Sequence, residues 1–298
     1  MGRAVHLARM GLFYVLTALF TLFLTLELFA HLLLPTPVMT QWAAPHHVHA
    51  LGHLVLTAIL IAAVGTGLHP RLRRIAGLQG LLLVVSLGLL ATVIALQGFH
   101  PDQAFPTFNF TLYGAVALLL ALLHPERGQL LARGDWDRGL AVMAVVAFVP
   151  AIAYAALEVA KQQSGTDPVH SGVGHFALMA SLAVVVAALA GLAALRTEGW
   201  RLPLWSAGLA VVALGLGSIA FPTEASSLGL LGGLVEVAWG VAFIAFGHRG
   251  RHASNGATTD ESGVGAVPRV LGKGEQGLER ELVGLGNLAE GDDAAAMG

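Results

Sequence analysis

The chain has 298 residues, of which 56% are apolar and only 11% charged, with a formal net charge of −2 and a mean hydropathy of +0.74. A soluble domain carries roughly a quarter charged residues, so this chain lacks the side chains to coat a water-facing surface, and its small net charge gives no reason to expect a nucleic-acid partner. It contains no cysteine, which excludes disulfides, thiolate metal sites, cysteine-ligated iron–sulfur clusters and covalent c-type haem.

Eight apolar runs follow one another, at about 10–34, 49–68, 77–98, 107–123, 139–160, 172–195, 203–220 and 227–247. Each approaches the length of about 17–25 residues that crosses a hydrocarbon core. None alternates with the period of two that a membrane barrel requires. The expected fold is all-α: a polytopic membrane helical bundle of eight transmembrane helices. The first run, from Met10 to Leu34, is too long for a signal-peptide core and lacks a small-residue cleavage site, so it is expected to be retained.

Arg3, Arg9, Arg71, Arg73, Arg74, Arg127, Arg133, Arg138, Arg196, Arg201, Arg249 and Arg251 fall on one side of these runs, and Lys161 on the other. The positive-inside rule then places both termini in the cytoplasm of a multi-pass cell-membrane protein. Trp136, Trp200 and Trp205 suit the inner interface, and Trp42 the first outer loop. Residues 1–248 form the expected membrane domain. Residues 249–298 are rich in Gly, Ala, Glu and Asp, and their composition predicts a disordered cytoplasmic tail.

The chain also echoes itself. Val84–Leu89 resembles Val211–Leu216, Ala104–Thr107 recurs as Ala220–Thr223, Leu26–Leu28 answers Leu157–Val159, and Gly52–His53 answers Gly174–His175. The matches are collinear, which predicts a 4+4 parallel internal repeat with halves of about 10–124 and 137–248. The Ala-Phe-Pro-Thr segments are expected at outer helix–loop junctions. Gly52, Gly174, Gly229, Gly232 and Gly233 are expected to permit close helix packing.

Ionisable groups inside apolar runs are costly and point to function. Glu27 and His31 are four residues apart, as are His49 and His53, so each pair shares a helix face. Glu158, His170 and His175 lie at corresponding places in the second half, although Lys161 stands near the counterpart of His31. The candidate metal ligands are therefore Glu27, His31, His49, His53, Glu158, His170 and His175. Nitrogen and oxygen donors of this kind suit Zn, Fe or Cu. Haem, bound axially by His53 and His175, is the other cofactor expected.

His46 and His47 are expected in a solvated loop, and His100 near the outer face. The competing function is a proton-coupled permease for a small solute, with Glu27, Glu158 and Glu236 as carriers; a third is a membrane scaffold without catalysis. The partners expected are the lipid bilayer and a small-molecule substrate. In outline the layout resembles haem A synthases. Those enzymes also need a histidine on the fourth span of each half, where this chain has Asn109 and Glu236. No H-E-x-x-H, Walker A or nucleophile-elbow motif is present.

Overall fold

The computed structural model describes residues 2–33, 46–68, 80, 104–125, 127–129, 134–172 and 174–256. Within them the chain forms α1 (Gly2–Leu33) and α2 (His47–Gly65), which runs into a 3-10 turn at Thr66–Leu68. After α3 (Ala104–Leu123) comes a second such turn, Arg127–Gln129. The remaining helices are α4 (Arg138–Ser164), the short α5 (Pro168–Ser171), α6 (His175–Ala194), α7 (Arg201–Ala220) and α8 (Gly229–Gly256).

Six described helices are long and apolar enough to cross a bilayer: Ala4–Ala30, His47–Leu68, Arg138–Ser164, His175–Ala194, Arg201–Ala220 and Gly229–Arg249. A shorter apolar helix, Leu112–Leu123, falls within the fourth run. The protein is an all-α, multi-pass membrane-spanning helical bundle. Helices suit this environment because all their backbone hydrogen bonds are internal, leaving none to be met by lipid. All of the third run except Gly80, and the chain beyond residue 256, lie outside the described residues.

Burial shows how the helices are arranged. In α6, 72% of the apolar window is buried, against 17% in both α4 and α8, so α6 is the central helix and the other two face lipid. Its buried face is alanine-rich, with Ala177, Ala180, Ala187, Ala190, Ala193 and Ala194. Small side chains let neighbouring backbones come close where lipid offers no hydrophobic drive to association. Val145, Val149, Leu231 and Val235 point outward from α4 and α8.

Two packed cores share one helix. Phe13, Phe20 and Leu24 of α1 pack with Leu60 and Val64 of α2 and with Tyr113 and Leu120 of α3. Ile59 of α2 packs instead with Leu140 of α4, Leu182 and Leu189 of α6, Leu204 of α7 and Phe243 of α8. Consecutive residues of α2 thus join the two groups of helices.

The backbones of α7 and α8 approach closely at glycines on both helices. A Cβ on Gly215 would lie 2.7 Å from the Gly233 carbonyl oxygen, and one on Gly233 would lie 2.5 Å from that of Gly215. One turn pair further along, a Cβ on Gly240 would lie 2.6 Å from the Gly208 carbonyl oxygen. Gly52 similarly admits the Met179 sulfur of α6. Gly174 and Gly229 act differently: both have positive φ, 75° and 70°, and shape the chain just before or at a helix start.

At the arginine-bearing end, Asp137 caps α4 by accepting from Leu140 N at 3.0 Å and pairs with the Arg196 guanidinium. Burial acts to raise the Asp137 carboxyl, but the hydrogen bonds from Leu140 and Arg196 outweigh it and hold it below 3.8. A carboxylate with a depressed folded pKa stabilises the fold above its ordinary value, and that stability is lost as pH falls through the folded value.

Two outcomes are expected from thermal unfolding in detergent. Gly215→Ala pushes a methyl group into backbone and should cost about 1–3 kcal/mol, while Gly191→Ala, with nothing within 4 Å, should be neutral or stabilising. Equal effects would contradict the close α7–α8 contact. Below about pH 4, Asp137→Asn should lose thermal stability less steeply than the wild type; parallel curves would show that the cap and ion pair contribute nothing.

Candidate metal centre

Where α1, α4 and α7 end, α2, α6 and α8 begin. The connection from α4 to α6 brings two histidines together at this end of the bundle. Gly165, left-handed at φ 59°, stops α4. Asp167 then caps α5, with Pro168 at its first position, where the missing N–H costs nothing. Gly174 turns the chain again into α6 at His175. Buried Gln162 of α4 ties the connection down: its amide donates to the Ser171 carbonyl at 2.8 Å and its carbonyl accepts from Ala177 N at 3.3 Å.

His46, His170 and His175 each bring one possible ligand atom into a group whose members all lie within 4.8 Å of one another. This cluster can chelate a metal ion. His170 Nδ1 lies 2.6 Å from Asp167 Oδ2, and a carboxylate only accepts, so Nδ1 carries a proton, which in the neutral ring leaves the lone pair on Nε2. That Nε2 is buried and makes no hydrogen bond, and the same holds for His175 Nδ1. Buried polar atoms are normally paired, so two such nitrogens in one cluster point to a ligand. Burial acts to raise the Asp167 carboxyl, but hydrogen bonds from the His170 ring and backbone prevail and hold it below the usual carboxylate value. Asp167 is therefore ionised at neutral pH, as a carboxylate that orients a ligating imidazole must be.

Beside the cluster runs a chain of polar contacts. Glu158 has no exposed surface; it accepts from Lys161 Nζ at 2.6 Å through one oxygen and from Ser226 Oγ at 2.5 Å through the other. Ser226 Oγ is in turn 2.9 Å from His49 Nε2. The loop before α8 that presents Ser226 is fixed by Tyr154, whose hydroxyl donates to the Ser226 carbonyl at 2.8 Å. In the same loop, Glu224 caps α2 by accepting from Val48 N at 3.1 Å. It also lies 2.5 Å from His47 Nδ1, and the His47 ring stacks on Phe221.

Other sequence-predicted residues form a second polar group. Glu27 Oε1 accepts from the Tyr113 hydroxyl at 2.6 Å and lies 3.6 Å from His53 Nε2. The backbone of His31 is in the last turns of α1. Glu236 lies midway along α8 on the wall of a cavity of about 210 Å³, with Tyr154 and Ser218 among mostly apolar neighbours. His100 lies outside the described residues.

The structure thus brings His49, His170 and His175 together with Glu158 alongside, and sets Glu27 with His53 and Tyr113. His46, expected in a solvated loop, precedes α2 and turns its ring toward His170 and His175, with centroid separations of 4.7 and 5.4 Å. Its signal in the sequence is spacing: His46 and His49 are three apart and share a face if the helix starts early. Asp167 was legible as a cap three residues before His170, followed by proline. Ser226 and Tyr113 carried no local signal, because only the tertiary packing gives them partners. Comparison with known proteins finds no matching family model, and no similar curated protein or solved structure.

The Tyr113 contact has a direct test. Tyr113→Phe removes a hydrogen bond to Glu27, which should cost about 0.5–1.5 kcal/mol. Thermal unfolding of the chelator-treated protein measures this. A variant as stable as the wild type would show that Glu27 finds an equivalent partner without it.

Proposed function

We propose that this chain is a multi-pass membrane protein that holds a single transition-metal ion on His46, His170 and His175 at the outer end of its bundle. The observation that carries this reading is the gathering of three ligand atoms within 4.8 Å. A tetrahedral zinc site with bonds of 2.0–2.1 Å sets its nitrogens about 3.3 Å apart, a distance within reach of small imidazole rotations. Neutral imidazoles without thiolates favour Zn, Cu or Fe over Mg or Ca. A mononuclear ion fits better than haem, because axial haem ligands stand on opposite sides of a macrocycle. Of the two candidate axial ligands only His175 belongs to this group, and His53 stands instead beside Glu27.

The same reading takes the bundle as eight spans in two parallel halves, with residues 249–298 as a cytoplasmic tail. Helix pairing supports the repeat. The first run packs against the second and fourth, as α1 does on α2 and α3. The fifth packs against the sixth and eighth: α4 meets α6 along its length, and Trp239 of α8 donates to the Met143 carbonyl of α4 at 3.3 Å. Arginines at the opposite end, including Arg138, Arg196 and Arg201, support an outer position for the histidines under the positive-inside rule. Glu27 with His53 is an acid–base pair next to the centre. The cavity beside Glu236 favours the permease reading, but its mostly apolar wall suits a hydrophilic solute poorly.

Metal analysis of the purified full chain tests the proposal. About one Zn, Cu or Fe per chain is expected. Occupancy should fall at least about tenfold in His170→Ala and in His175→Ala. Exposed His248, at the other end of the bundle, is the control, and His248→Ala should match the wild type. A wild type that takes up no stoichiometric metal, or equal occupancy in all variants, would overturn the proposal.

A further inference from the structure

The polar chain beside the cluster leads to a statement about how the centre is closed. Ser226 has one hydroxyl proton, and it goes to Glu158 Oε2 at 2.5 Å. The other Glu158 oxygen accepts from Lys161, so both oxygens of the side chain are engaged and Ser226 is the donor of its pair. Ser226 Oγ can then only accept from His49 Nε2, 2.9 Å away. The proton of His49 is therefore on Nε2, and Nδ1 holds a lone pair. His49 is only 1% exposed, and its Nδ1 is buried without any hydrogen bond. A lone pair fixed in place, dry and unpartnered has the properties of a metal ligand.

Ring positions agree. An imidazole bound at about 2.0 Å has its centroid about 3.1 Å from the ion, so rings around a tetrahedral centre lie about 5 Å apart. The His49 centroid is 4.7 Å from that of His170 and 4.8 Å from that of His175. Three further separations in the group are 4.7 Å for His46–His170, 5.4 Å for His46–His175 and 5.9 Å for His170–His175. Five of the six separations among the four rings thus lie between 4.7 and 5.9 Å, while the group within 4.8 Å by ligand atoms holds His46, His170 and His175, so a His49 nitrogen joins it only when its ring turns.

We infer that His49 is the fourth ligand of the centre, held in its Nε2–H tautomer by Ser226 and Glu158, so that the site is a closed four-imidazole site with no position for a water or substrate. The inference rests on the metal-binding reading above. It narrows the function: three imidazoles leave an open position of the kind used in hydrolysis, whereas four close it and leave the ion a structural or electron-carrying part. Two carboxylates orient the set by different routes. Asp167 acts directly on His170, and Glu158 acts through one hydroxyl on His49. Ser226 and Glu158 are positioning residues, since neither touches the ion.

The test uses the full chain in detergent, stripped with a chelator and loaded with Co2+, followed by visible absorption with and without azide. The wild type should give the intense bands of four-coordinate cobalt and ignore azide. His49→Ala should keep cobalt with weaker binding and acquire an azide-dependent spectrum. Ser226→Ala should keep the four-coordinate bands while its Kd for Co2+ rises about 10–100-fold. Should His49→Ala fail to fold, pulsed electron paramagnetic resonance of the Cu2+-loaded wild type counts the bound imidazoles directly, with four expected. Three imidazoles, an azide-sensitive wild type, or a His49→Ala protein with wild-type spectrum and Kd would overturn the fourth ligand while leaving the three-histidine centre standing. A wild type that binds neither ion would overturn the centre and this inference together.

Discussion

Glu158 is a carboxylate with no exposed surface in a chain built to sit in lipid, and the histidine end of the bundle is organised around satisfying it. A carboxyl group at such a position is tolerated only with partners on both oxygens. Lys161 supplies one, from one turn further along α4 and with its own ammonium half in solvent. Ser226 supplies the other, from a loop beyond α7 that is adjacent only because α4, α6, α7 and α8 pack as they do. That second partner links the carboxylate to α2 through His49. One buried carboxyl group thereby links three elements, α4, the loop before α8 and α2, and a deviation in any of them would strand it.

The same constraint explains why the polar groups are concentrated. Along most of α4, α6 and α7 the neighbours are alanine, valine, leucine and glycine, and packing there depends on close backbone approach. Polar side chains gather at one end, where Gln162, Asp167, Glu224 and Ser226 cap helix starts and tie loops together. The helix ends carry unsatisfied N–H groups, and these residues answer them: Gln162 for Ala177, Asp167 for His170 and Glu224 for Val48. The histidines sit among these tied-down helix starts and take part in them, His170 through Asp167 and His47 through Glu224. Such anchoring is what a metal centre requires if its ligands are to be preorganised.

The membrane class was legible in composition and run length alone, because the bilayer leaves few folds open. Six runs appear as long helices, with ends that differ by a few residues. The helix α1 extends back to Gly2, since nothing in its first turns breaks a helix, and α4 runs on to Ser164, where Gly165 ends it. The run expected to begin at 172 divides into α5 and α6, because Gly174 takes a left-handed conformation. The candidate site was legible as a set of residue types and only partly as a set of neighbours. Spacing of three or four residues identifies shared faces within one helix, such as His49 with His53. It cannot say which faces of different helices meet, and so it could not separate the Glu27–His53–Tyr113 group from the cluster around His175. Nor could it find Ser226, a serine in a polar loop that nothing nearby in sequence distinguishes.

X-ray absorption at the metal edge of the protein as purified tests the central claim most directly, because it reports ligand type and bond length without any substitution. The expected result is a first shell of nitrogen at about 2.0 Å, with the outer-shell scattering of imidazole rings and no sulfur. A shell of six oxygens at longer distance, or no bound transition metal, would contradict the account and leave the histidine cluster as packing.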